Sequence, residues 1–149
     1  MPSIAVLGGG FLLAVLWMDL MFDVQVLGHR DAAELPEEVL ASIAGYYRRV
    51  TTLARPMGHA IAVVMAITLV AVGFEIADEA HRWVGGASLP LCAGPIGLAA
   101  VRVVPSAVRL GGRTDSVAEQ SRLARRICRD HLLCLAGILL FTAIQLAAA

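Results

Sequence analysis

A handful of ionisable residues stand in stretches of this chain that are otherwise apolar. Asp19 and Asp23 close the apolar run that begins at Ile4, and His59 sits at the start of a second run. Arg102 and Arg109 follow a third run, and His131 leads into a fourth. The i, i+4 spacing puts Asp19 and Asp23 on one helical face. Arg102 and Arg109 are two turns apart along a common face. Carboxylates and imidazoles move protons, while arginines hold anionic or enolate oxygens. These residue types suggest acid–base catalysis on a lipophilic or quinone-like substrate. In that reading Asp19, Asp23 and His59 are the catalytic groups, and Arg102, Arg109, His131 and Trp17 bind the substrate.

Other chemistries use the same residues. His59 and His131, on different helices at matching depth, could serve as paired axial haem ligands. Asp19, Asp23 and His59 offer a carboxylate–imidazole set suited to a metal ion such as iron, manganese or zinc. A di-iron bundle would require Glu-x-x-His elements on two helices. The nearest counterpart, Asp78-Glu79-Ala80-His81, occurs once and on the opposite side of the membrane. The plainest alternative is an ion-pair network that fixes helix register and does nothing else. The cysteines, Cys92, Cys128 and Cys134, form no CxxC motif. Cys128 and Cys134 are about 9 Å apart in helical rise, too far for a disulfide, so all three read as small buried hydrophobes.

The elements that position these groups follow from composition. The 149 residues are 58% hydrophobic and 16% charged, against about 45–50% and about 25% in soluble domains, and the mean hydropathy is +0.76. All 12 basic residues are arginine and balance 12 acids, so no basic nucleic-acid-binding footprint exists. Residues 1–18, 56–74, 83–101 and 132–149 contain no Asp, Glu or Arg. Each stretch approaches the roughly 20 residues a helix needs to cross the hydrocarbon. Backbone groups in lipid must pair internally, and the short alternating segments of a barrel are missing. The expectation is therefore an all-α membrane protein, a four-helix transmembrane bundle forming a single domain. Its spans cover about 4–27, 56–77, 86–109 and 130–148.

Arginine placement orients it. Arg30, Arg48, Arg49 and Arg55 lie between spans one and two, and six arginines from Arg109 to Arg129 lie between spans three and four. The remaining loop carries Arg82 against Glu75, Asp78 and Glu79. The positive-inside rule makes both long loops cytoplasmic and puts both termini outside an inner or plasma membrane. Pro36, Glu37 and Glu38 start a further, amphipathic cytoplasmic helix over about 36–52, with Val39, Leu40, Ile43, Tyr47 and Val50 on its apolar face. Either it lies on the membrane surface or it packs on the bundle end. Ser116 and Glu119 read as a capping box, opening one long helix through span four. Gly8, Gly9, Gly10, Gly94 and Gly97 would allow close helix approach, and Pro90, Pro95 and Pro105 would bend span three.

Residue counts from the outer ends set Asp19 level with Arg102, and Asp23 level with Arg109, within about 3 Å. This predicts an acid–base ladder between spans one and three. With His59 and His131 it would line a polar pocket open to the cytoplasm. Glu75 and Gln145 lie at one depth near the other end and could bond. The partners expected are membrane lipids, a lipophilic small molecule and, in a homo-oligomer, a second copy. The rival functions are an oligomeric ion or solute conductor gated by Asp19 and Arg102, and an accessory subunit of a membrane complex.

Overall fold

The computed structural model describes residues 2–148, which form helices and connecting turns and no strand. Helix α1 (Pro2–Asp23) tightens into a 3-10 segment, Val24–His29. Helix α2 (Glu37–Arg48) runs through a π turn, Arg49–Leu53, towards α3 (Arg55–Ala77). Helix α4 (Arg82–Leu98) continues through a second π turn, Ala99–Val103, into α5 (Val104–Gly112), and α6 spans Val117–Ala147. Four segments are long and apolar enough to cross a membrane: Ile4–His29, Pro56–Ala77, Arg82–Gly112 and Val117–Ala147. That is the pattern of a multi-pass membrane protein, and each segment covers an expected span to within one residue. The fourth expected span is the C-terminal part of a longer helix. Ser116 caps that helix by accepting a hydrogen bond from the Glu119 N–H at 3.3 Å.

The four long segments pack as a ring. Helix α1 packs on α3 and α6, and α4 packs on the same two, so α1 stands diagonal to α4 and α3 diagonal to α6. Between lipid-facing helices there is no hydrophobic drive, and close approach at small residues supplies the van der Waals contact instead. Gly8 faces the Thr68 side chain, and Gly9 faces Thr142 and Phe141, leaving no room for a Cβ. On the other side of the ring, a Cβ on Gly137 of α6 would stand 2.7 Å from Pro95 of α4. The expected approach at Gly94 and Gly97 is not made, since both border open space. The glycine that brings α4 and α6 together is on α6. Pro90 and Pro95 stay inside α4. Pro105 falls in the first turn of α5, just after the π turn.

Of the two placements for the amphipathic helix, α2 takes the packed one. Val39, Leu40, Ile43, Ala44 and Tyr47 are buried with Ala107 and Leu110 of α5 and Leu123, Ala124 and Ile127 of α6. Close contact with α5 requires Gly111, where a Cβ would meet the Arg48 backbone nitrogen at 2.8 Å. The loop before α2 is tied to α6 by a bond from the Leu35 N–H to Ser121 Oγ at 2.9 Å. Arg113 holds the start of α2 with two bonds to the Glu37 carboxylate, at 2.7 and 2.8 Å. This small core closes one end of the ring and sets the two tyrosines of α2 over the polar residues of α1.

Candidate functional site

His131 of α6 is the centre of a buried polar cluster at the α2 end. Its Nδ1 lies 2.6 Å from Asp23 Oδ2, and its Nε2 lies 3.6 Å from Asp19 Oδ2. Both aspartates project from α1 towards α6, as their shared face requires. Helix α2 completes the cluster from above. The Tyr47 hydroxyl donates to Asp23 Oδ1 at 2.7 Å and lies 3.4 Å from His131 Nδ1. The Tyr46 hydroxyl donates to Asp19 Oδ1 at 2.6 Å, and its ring stacks on Phe22 with centroids 4.2 Å apart. Asp23 is fully buried, whereas the Asp19 side chain keeps 16% of its surface exposed. The cluster thus has one sealed end and one reachable end. Burial and the facing carboxylates push both tyrosine hydroxyls well above their ordinary value, so they act as neutral donors.

The expected ladder is not formed. Arg102 sits in the π turn after α4 and bonds Asp130 of α6, with Nη2 at 3.0 Å from Oδ1 and 2.9 Å from Oδ2. Arg109 pairs with Asp115 at 2.9 Å and Glu119 at 3.4 Å. The reason is the ring order: α1 and α4 occupy diagonal corners, so equal depth does not bring their side chains together. Helix α6 lies between them and answers both. Consecutive residues on a helix point about 100° apart, so Asp130 can face the arginine side while His131 faces the aspartates.

Other expected site residues are also displaced. His59 is exposed on α3, diagonal to the helix carrying His131, so it joins neither the acid–base cluster nor a paired ligand set for haem. Trp17 is 66% exposed on the outward face of α1. The metal set of Asp19, Asp23 and His59 does not assemble, and no group of three potential ligands with metal-holding geometry occurs among the described residues. Tyr46 and Tyr47 occupy the space where a polar pocket was expected. Two cavities of the structure lie away from this cluster. One is a groove of about 430 Å³ lined by Arg122, Arg125, Arg126 and Arg129. The other, of about 210 Å³, is apolar and lined by residues including Pro90, Gly94, Leu133 and Gly137.

At the opposite end, Gln145 Nε2 donates to Glu75 Oε2 at 2.7 Å, as their common depth implied. In the turn beyond α3, His81 lies 2.9 Å from Asp78. That bond, followed by the Ala80 N–H, holds the Asp78 carboxyl below its usual range.

Three members of the central networks escape a reading of spacing: Tyr46, Tyr47 and Asp130. A signal for the tyrosines was present, because a buried tyrosine usually finds a hydrogen-bond partner, and Tyr47 lies on the apolar face of α2. Asp130 stands beside His131 at a span's edge, where a carboxylate next to several arginines looks merely interfacial. No protein-family model, curated protein or solved structure matches the chain, so the reading of the site rests on this geometry.

Proposed function

We propose that the chain is a small enzyme of the inner or plasma membrane that performs acid–base chemistry on a lipophilic, quinone-like substrate. Both termini lie outside, and the α2 end faces the cytoplasm, where the arginines of both long loops collect. The observation that carries the proposal is His131 held between two carboxylates, only one of which is reachable.

Each group has a distinct role. Asp23, fixed by the Tyr47 hydroxyl, accepts the His131 Nδ1–H and sets the tautomer, as a buried aspartate does for a catalytic histidine. The lone pair of Nε2 then faces Asp19. Asp19 is the group that meets the substrate. It takes a proton from an acidic C–H or O–H and passes it to Nε2, leaving an imidazolium between two carboxylates. The reverse transfer returns the proton to another substrate atom. Arg102, paired with Asp130, positions α6 rather than binding substrate. The substrate approaches from the bilayer past the exposed apolar face of α1, which includes Trp17, Met18 and Met21.

Solvent-deuterium exchange tests this directly. Protein in nanodiscs is incubated in D2O with a panel of lipophilic ketones and alkylated quinones, and incorporation is read by mass spectrometry. The account expects exchange that falls about 10²–10⁴-fold in Asp19→Asn and His131→Gln, and is unchanged in His59→Ala. Exchange equal in wild type and Asp19→Asn, or absent across the panel, would make the cluster a register-fixing network.

A further inference from the structure

The second buried polar cluster lies at the far end of the ring. Glu75 of α3 is 2% exposed, and Gln145 of α6 and Ser88 of α4 are fully buried. Gln145 Nε2 donates both to Glu75 Oε2 at 2.7 Å and to Ser88 Oγ at 3.1 Å. The remaining oxygen of each larger group, Glu75 Oε1 and Gln145 Oε1, is buried with no hydrogen-bond partner. The surroundings are apolar, with Ala71, Val72, Cys92 and Phe141 in the adjoining core. No arginine or histidine pairs with Glu75 among the described residues. At this end Asp78 is bound to His81, and Arg82 lies against Glu79 and the Ile76 carbonyl. The neighbouring faces of α4 and α6 bring Ser88, Cys92 and Gln145, none of them charged. An ionised carboxylate held by one amide donor in such a place leaves its desolvation unrepaid.

We propose that Glu75 is a proton-binding site, held in the folded protein as a neutral acid–amide pair with Gln145. In such a pair the acid's carbonyl oxygen accepts the amide N–H, and its O–H donates to the amide oxygen. Glu75 and Gln145 already make the first bond, and the two unpartnered atoms are the ones the second would use. One proton on Oε1 therefore removes the charge and supplies the missing donor. Glu75 lies one turn from the end of α3, so its proton exchanges with water on that side. The site is separate from the Asp19–His131–Asp23 centre, about 21 Å further along α6.

Two measurements on the full chain in lipid nanodiscs test the proposal. At neutral pH, the infrared spectrum should contain the C=O stretch of a protonated carboxylic acid, shifting in D2O. That band should persist in Asp19→Asn and Asp23→Asn and vanish in Glu75→Gln. The second measurement needs no variant. Dicyclohexylcarbodiimide, which attacks protonated carboxyls in apolar surroundings, should modify Glu75 in the wild type. A Glu75 with no acid band at neutral pH overturns the proposal. Modification blocked by sodium or calcium chloride, but not by choline chloride at equal ionic strength, also overturns it, because the occupant would then be a metal cation.

Discussion

At the scale of single residues, the cluster around His131 is held by hydroxyls that spacing did not bring to notice. Tyr47→Phe leaves the fully buried Asp23 with one donor fewer and should lower stability by about 1–3 kcal/mol, measured by unfolding in mixed micelles. Tyr46→Phe should cost less, because Asp19 can reach water. The pairing of Arg102 with Asp130 makes its own prediction. Arg102→Met leaves the buried Asp130 carboxylate with Arg129 alone, 3.5 Å away, and should cost about 1–3 kcal/mol, most of it recovered when Asp130→Leu is added. Combining Arg102→Met with Asp19→Asn should instead give additive effects, since those residues do not touch. In the turn beyond α3, the bonds from His81 and the Ala80 N–H lower the Asp78 carboxyl below its ordinary value. Its contribution is therefore present above that ordinary value and lost as pH falls through the lowered one. Protection of the Asp78–Arg82 turn amides against hydrogen exchange, taken relative to their intrinsic rates, should fall on acidification, and Asp78→Asn should remove that loss of protection. The acids of α1 were visible in the sequence because hydrocarbon excludes charge. Their partners were not, because depth along a helix says nothing about which helix stands beside it.

At the scale of elements, four helices long and apolar enough to cross a membrane were legible from the absence of charge alone. Helix α2 was legible from its periodic apolar face, and the start of α6 from Ser116 and Glu119. The order of helices round the ring was not legible. A lipid-facing helix is apolar on every side, so its pattern does not mark the face that meets protein. The glycines show the same limit, because a small residue permits close approach without specifying it. Gly8, Gly9 and Gly137 are used for contact, while Gly10, Gly94 and Gly97 border open space. Gly137→Ala should push α6 away from Pro95 and cost about 1–3 kcal/mol, whereas Gly94→Ala should be neutral or slightly stabilising. Thermal unfolding of the two variants side by side distinguishes a used glycine from an unused one.

At the scale of the whole molecule, α6 connects everything. It offers Asp130 to the arginine of the π turn, His131 to the aspartates of α1, and Gln145 to the carboxyl of α3. This explains how α1 and α4 can carry opposite charges at one depth without meeting. Orientation is tested by labelling single cysteines placed at Ser42 and Glu79 with a membrane-impermeant maleimide in intact cells, on a chain whose native cysteines are replaced by alanine. Only the position at Glu79 should react. The central claim is that His131 is an acid–base group poised between Asp23 and Asp19, and ¹⁵N NMR of the histidine-labelled protein in lipid tests it most directly. The His131 signals, identified by their loss in His131→Gln, should show a strongly hydrogen-bonded Nδ1–H. They should shift in both Asp23→Asn and Asp19→Asn and stay in place in His59→Ala, whose side chain is exposed on α3. A ring protonated on Nε2 alone, with signals indifferent to Asp19, would contradict the account.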